Sequence, residues 1–283
     1  MLTREATSKV QPYSFEHLGK TITLVDTPGF NDTNRTDTEV LKEIADWTSK
    51  TYKNGQLLSG IIYLHPITHT RMEGSAMKNL RMFQKLCGQE VLENVLLTTT
   101  QWSSVNPVEG QAREDNLRDE GLWGGLIGKG AMLQRFHGTR ESGLELVHKL
   151  MSNTRKPLDI QDQIVDQRMT LLETEAGKFL NEGLAAQEKR FKEELESLEK
   201  QLREAIEAKD DEMNQILTAG QERAQAKLER AEAEQRWLVG LHAAEIEKRK
   251  AKGKKGQGGR GDRGSISGPS TSQAKRASRA TVA

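Results

Sequence analysis

Short apolar runs alternate with helix-like stretches through the first 157 residues. Val10–Phe15 and Thr21–Val25 read as two strands around the turn His17-Leu18-Gly19. Gly60–Leu64 (GIIYL) and Val95–Thr99 (VLLTT) are uninterrupted apolar runs of buried-strand type, and Met132–Phe136 is a weaker one. Between them lie helical patterns at Asp37–Lys53, Ser75–Cys87, Ala112–Ile127 and Glu141–Met151. Strands spaced by helices predict βα units and a largely parallel sheet, with the tightly joined first pair as its antiparallel exception.

The pattern changes after Pro157. No proline occurs until Pro269, and Glu, Lys, Ala, Leu and Gln dominate. A seven-residue register predicts a long helical, coiled-coil-like region over 158–250. Its seam carries Leu184, Phe191, Leu195, Leu198, Leu202, Ala205, Ile216 and Ala219, with Glu188, Lys209 and Glu212 interrupting it. Glu188–Lys192, Glu196–Lys200 and Glu199–Arg203 have the (i, i+4) order that supports a helix. From Ala251 the chain is mostly Gly, Ser, Lys and Arg, too poor in apolar side chains to offset its ordering entropy, so 251–283 is expected to be a disordered basic tail.

Charge follows the same boundaries. The net +1 of the chain resolves into +1 over 1–157, −7 over 158–250 and +7 over 251–283. Only 35% of residues are hydrophobic and mean hydropathy is −0.70, which agrees with part of the chain lying outside any core. The lone Cys87 excludes a disulfide framework and a multi-cysteine metal site. No apolar run is long enough to cross a membrane and the N-terminus has no secretory pattern, so a cytoplasmic protein is expected.

The most specific chemical signal is Thr23-Leu24-Val25-Asp26-Thr27-Pro28-Gly29-Phe30. An apolar strand ends in Asp-Thr-Pro-Gly, the DxxG element of GTP-binding proteins. An Asp there can orient a water on Mg²⁺, and a Gly three residues on lets its N–H meet a γ-phosphate. The bland alternative is a Pro-Gly turn after a strand. His65 and His69 have H-x3-H spacing, but Pro66 between them rules out a helical zinc pair, leaving ordinary loop histidines. Arg71 reads as a solvated loop arginine. Arg260-Gly261-Asp262 reads as a chance tripeptide, and Lys275-Arg276-Ala277-Ser278 has the look of a basophilic kinase site.

The runs TITLVDTPGFNDT, IIYLH, RMFQKLCG, LTTTQW and KGAMLQRF, in this order over roughly residues 5–151, resemble the septin-related GTPases of the immunity-associated (IMAP-type) class, most closely their fungal single-G-domain relatives. The resemblance implies a P-loop NTPase-like G domain that binds GTP with Mg²⁺, hydrolyses it slowly and self-associates. It places Thr7 at the switch I threonine that reaches Mg²⁺, and Asp26, Thr27, Pro28 and Gly29 at the DxxG element. It places Thr100, Gln101, Trp102 and Ser103 at the guanine motif, and His137 in the fifth, base-contacting loop.

Two departures stand out. Ser103 replaces the Asp whose carboxylate would take two hydrogen bonds from guanine, and a hydroxyl cannot supply that acceptor pair. The family's first strand and its G-x-x-x-x-G-K-[ST] loop belong about thirty residues before Thr7, where six residues stand. Gly124-Gly125-Leu126-Ile127-Gly128-Lys129-Gly130 is the nearest displaced copy. It lacks the first Gly, the hydroxyl residue and a leading strand. In the family's own numbering the sheet order is 2-3-1-4-5-6, so the missing first strand is expected to leave a slot between two strands: the strands close up, another chain fills it, the chain folds poorly, or Met1 is not the true start. The reading is a G domain without its first strand and P-loop, truncated or degenerate as written. The alternative is a nucleotide-free pseudo-GTPase acting as a coiled-coil scaffold, its basic tail meeting nucleic acid or an anionic membrane.

Overall fold

The computed structural model describes residues 9–30, 35–70, 72, 74–208, 210–257 and 280–282. They form two compact units. The first holds the chain up to Arg168 and the C-terminal strand, and the second spans Met169–Lys254.

The first unit is a six-stranded mixed sheet flanked by helices. Strand β1 (Gln11–His17) pairs antiparallel with β2 (Lys20–Asp26) in register from Gln11↔Asp26 to His17↔Lys20. Leu18 and Gly19 both take positive φ (49° and 69°), so two residues reverse the chain with the twist a hairpin needs. At the hairpin end the His17 and His148 imidazoles stack, their Nε2 atoms 2.6 Å apart, one ring donating and the other accepting.

Helix α1 (Asp37–Lys53) leads to β3 (Leu58–Pro66), and α2 (Ser75–Cys87) to β4 (Val95–Thr100). A capping box fixes the start of α1: Thr36 accepts from the Glu39 amide while Glu39 accepts from the Thr36 amide. Next come α3 (Pro107–Leu117) with Pro107 at its first position, a wide turn at Glu120–Gly124, the single turn α4 (Gly125–Ile127) and β5 (Met132–Arg135). The single helix expected over 112–127 is therefore broken. Leu122 leaves helical geometry (φ −112°, ψ −108°), which lets Trp123 turn wholly inward. No strand leads into the Gly124–Gly130 run, as a phosphate loop would require. Helices α5 (Arg140–Met151) and α6 (Asp159–Val165) complete the unit, and the Gln161 side-chain amide donates to the Thr48 carbonyl of α1.

Strands β3, β4 and β5 are mutually parallel. Between β2 and β3, parallel to both, lies β6 (Ala280–Val282), giving the order β1-β2-β6-β3-β4-β5. This is the order implied by the G-domain resemblance, with the last strand of the chain standing where that family's first strand belongs. The slot is not closed up, because β6 pairs with both β2 and β3. The tail expected to be disordered supplies this strand at 280–282. Residues 258–279, with Arg260, Lys275 and Ser278, lie outside the described residues.

The core follows the two faces of the sheet. Val95 and Leu97 face one layer with Trp123, Leu126, Leu80 and Ile67. Leu96 faces the other with Leu146 and Leu150. This is the period-two alternation of a strand buried on both sides. Gly60 lies where β3 passes under α5, and a Cβ there would stand 2.5 Å from Leu150 Cδ2 and 2.8 Å from the Asn94 carbonyl oxygen.

The second unit is a helical hairpin of α7 (Glu175–Glu207) and α8 (Asp211–Gln257). The helices run antiparallel: Leu198 meets Gly220, Lys192 reaches Glu232, and Asn181 accepts from Gln235. The register expected to carry Ile216 and Ala219 breaks at the turn. Ile216 is 59% exposed, and the buried positions of α8 are Leu217, Ala224, Leu228, Ala231 and Leu238. The turn after Ala208 restarts the helical phase, so a heptad counted straight through it falls out of register by two residues. No helix among the described residues is long and apolar enough to cross a membrane.

Candidate functional site

All strands except β1 point the same way, so the loops after β2, β3, β4 and β5 leave one edge of the sheet. Open α/β sheets bind ligands at such carboxyl ends. The positions singled out in the sequence fall on this edge in two groups.

The first group follows β2. Asp26 is its last residue and is exposed. Thr27 and Gly29 are exposed, and Pro28 is buried. All four line a cavity of about 740 Å³. The loop is held from α2, where Asn79 Nδ2 donates to the Phe30 carbonyl at 3.2 Å and Lys78 pairs with Asp37 at 2.6 Å. Thr7 lies outside the described residues.

The second group follows β4 and β5. Thr100 ends β4, and its hydroxyl donates to the His65 carbonyl at 3.5 Å. Gln101 takes a left-handed conformation (φ 62°) and its side-chain oxygen accepts from Thr68. That kink aims Trp102 back at the sheet, where Nε1 donates to Thr99 Oγ1 at 3.0 Å. The His137 ring lies 6.4 Å from the Trp102 ring, and the His137 amide donates to Ser142 Oγ. Trp102 and His137 are thus brought together, while neither lines the cavity that holds Asp26–Gly29.

Between these residues is a network that sequence reasoning missed. Glu114 is 2% exposed and accepts from Arg135 Nε at 3.1 and 3.0 Å, from Arg135 Nη2, and from Thr99 Oγ1 at 3.0 Å. Arg135 also donates to Gln111 and stacks its guanidinium 4.0 Å over the Trp102 ring. The Glu114 hydrogen bonds hold the Arg135 pKa above its ordinary value. Helix α3 is weakly amphipathic, QAREDNLRDE reads as a polar face, and nothing in it marks Glu114 as the inward residue.

The residues present fit one end of a Mg²⁺–nucleotide better than the other. The Asp26 carboxylate is the hard oxygen donor that Mg²⁺ takes. A Cβ built on Gly29 meets nothing within 4 Å, leaving its backbone open to a phosphate. At the other end the Arg135 guanidinium covers one face of the Trp102 ring, which also packs against the core layer of Trp123. The carboxylate in that region, Glu114, is already engaged by Arg135 and Thr99. Ser103 is exposed and brings only a hydroxyl.

His65 differs from the loop residue expected. It lies on β3, is 5% exposed, and packs edge-on against Trp123 (5.7 Å) and His69 (5.5 Å). Burial, with the neighbouring His69, lowers its pKa from 6.5 to about 4. Among the described residues no group of three or more His, Cys, Asp or Glu side chains could hold a metal ion. Burial pushes the Cys87 thiol well above its ordinary range, removing it as a nucleophile. Arg71 lies outside the described residues.

The sheet order and the two loop groups define an α/β fold with a largely parallel sheet, followed by a long helical region. No protein-family model matches the sequence, and no curated protein matches it. Two similar solved structures are crystal structures of Toc33 from Arabidopsis thaliana. One, a dimerization-deficient mutant, is 16% identical with a TM-score of 0.37, covering 46% of this chain and 57% of that one. The other, a complex with Mg²⁺ and GMPPNP, is 15% identical with a TM-score of 0.39, covering 50% and 61%. The chain spans less than two thirds of the length of either.

Proposed function

We propose that the α/β unit is a nucleotide-binding G domain of the septin and immunity-associated type, taking GTP with Mg²⁺ and acting as a slow switch. The observation that carries this reading is the placement of Asp26–Gly29, Thr100–Trp102 and His137 on loops leaving one edge of a parallel sheet. Asp26 would hold Mg²⁺, the Gly29 amide would face the terminal phosphate, and Trp102 with His137 would lie toward the base. Mg²⁺ supplies charge neutralisation of the phosphates. The described residues bring no general base to Gly29, so turnover is slow and ordering of the Asp26–Phe30 loop is the output. Thr7 is the switch threonine of this scheme.

Fluorescent-GTP titration of the full chain tests the reading. We expect saturable binding that EDTA weakens and that falls at least about tenfold in Asp26→Ala. Because Ser103 lacks the carboxylate pair, GTP should outcompete ATP by less than about tenfold. No saturation at millimolar nucleotide sinks the reading.

A second reading rests on the helical unit, whose tip exposes Ile206 (58%), Met213 (43%) and Ile216 (59%). There the α/β unit is a nucleotide-free head and the hairpin a scaffold arm for self-association. Concentration-dependent sedimentation without nucleotide binding favours it.

A further inference from the structure

A second cavity, of about 450 Å³, opens beside the loop after β3 and shares no wall residue with the one that holds Asp26–Gly29. Its size falls among small-molecule sites, which run from roughly 300 to 1,000 Å³. Ile67, Met72, Leu117 and Leu122 give it apolar walls. Arg113 on α3 ties the loop to the helix. Its Nη1 donates to the Ile67 and Thr68 carbonyls at 3.1 Å each, and its Nη2 donates to Glu109 at 3.2 Å. The two sides of the cavity are therefore held at a fixed distance.

One polar group on this wall is unanswered. His65 lines the cavity and is only 5% exposed. Its carbonyl accepts from Thr100, but among the described residues neither ring nitrogen has a hydrogen-bond partner. Burial keeps the ring neutral at physiological pH, so it carries one N–H to donate and one bare nitrogen to accept with. Trp123, its ring 5.7 Å away, is wholly buried and its indole N–H also lacks an acceptor. Buried polar groups are rarely left this way, and a ligand group at His65 would complete the set.

The remaining wall residues narrow the chemistry. The charged ones are Arg113 and Asp119. Arg113 is engaged by two carbonyls and the Glu109 carboxylate, and Asp119 repels anions, so a phosphate or carboxylate finds no free counter-charge. The burial that keeps a proton off His65 disfavours a ligand cation at the same depth. The buried part of a ligand is then uncharged. A hydroxyl suits the imidazole, because its oxygen can accept from the N–H or donate to the bare nitrogen. The apolar walls, with the Met72 thioether among them, suit a ring.

We propose that this cavity binds a small uncharged phenol or ring-bearing alcohol, its hydroxyl hydrogen-bonded to His65 and its ring against Ile67, Met72, Leu117 and Leu122. The site goes beyond the nucleotide reading and uses none of its residues.

The probe is p-cresol, titrated into the full chain with its histidines labelled with ¹⁵N. Toluene is the match without a hydroxyl, and p-toluate the anionic match. We expect p-cresol to bind saturably and to shift the His65 ring nitrogens. Toluene should bind at least about tenfold more weakly, and p-toluate more weakly still. His65→Phe keeps a ring of similar shape and should abolish the preference for p-cresol over toluene. Asn116→Trp, at an exposed position on the rim, should weaken both without touching His65. Equal binding of p-cresol and toluene overturns the proposal in favour of a merely apolar cavity. A preference that survives in His65→Phe, or binding in the unsubstituted chain that leaves the His65 nitrogens unshifted, takes the hydroxyl away from His65 and overturns it too. No saturation by p-cresol up to its solubility overturns it outright.

Discussion

The two units are held together in opposite ways. In the α/β unit a few wholly buried groups carry contacts between segments far apart in sequence. Leu97, Trp123 and Leu80 meet in one layer, Gln161 reaches Thr48, and Glu114 collects Thr99 and Arg135. In the hairpin the buried positions form a narrow seam, and the surface is laced with near-neighbour pairs such as Lys192–Glu188 and Arg203–Glu199. Stability in the first unit is concentrated. In the second it is spread along about 50 Å of helix, where each exposed pair adds little. A site can be built in the first because side chains such as Trp102 and Arg135 have one place to be. The second offers length and surface.

The largest test of this contrast is a matched truncation. Leu97→Ala, at a wholly buried position between two layers, should cost about 4 kcal/mol. Leu228→Ala, 8% exposed on the seam, should cost about 2 kcal/mol because the cavity opens toward solvent. Hydrogen exchange on β4 and on α8 reads each unit by itself. Equal costs would erase the contrast.

The next test is acid. The unfolded-state pKa of His65 is near 6.5 and its folded value about 4. Below pH 6.5 the unfolded chain takes a proton that the folded chain refuses, so stability falls as pH drops from 6.5 toward 4. The shift corresponds to about 3 kcal/mol over that window. The loss should be confined to the α/β unit, followed through the fluorescence of Trp47, Trp102 and Trp123. In His65→Gln the slope over the same window should flatten. An unchanged slope would place the acid sensitivity elsewhere.

These residues also show what the sequence makes visible. The hairpin of β1 and β2, the apolar β3 and β4 and the helices between them are legible because each is set by its own residues: period, turn and cap. The loop after β2 is legible because Asp-Thr-Pro-Gly is a local pattern. Glu114 is not, since its burial depends on Arg135 twenty-one residues away and on the kink at Gln101. Strand β6 is hidden for the same reason. Ala-Thr-Val in a Gly- and Ser-rich tail is a strand only because β2 and β3 present open edges to it. The α8 seam slipped because a heptad count does not see a turn. Local rules find elements; partners distant in sequence decide burial and pairing.

The smallest effect sharpens the comparison from inside the hairpin. Thr174 is wholly buried at the N-cap of α7. Its hydroxyl accepts from the Gly177 amide at 3.0 Å and donates to the Leu171 carbonyl at 2.7 Å. That one oxygen joins the preceding turn to the helix, and no side chain fits beside it. A Cβ on Gly177 would lie 1.9 Å from the same Leu171 oxygen. Thr174→Ala should cost about 1–2 kcal/mol, through a lost cap and a buried amide left without its acceptor. Thr174→Ser keeps the oxygen and should cost less than about 0.5 kcal/mol. Exchange of the amides over residues 175–180 measures both. If alanine and serine behave alike, the helix start is set by packing around Ala176 and Leu180 rather than by the cap. The hairpin would then share the concentrated design of the other unit at this one point.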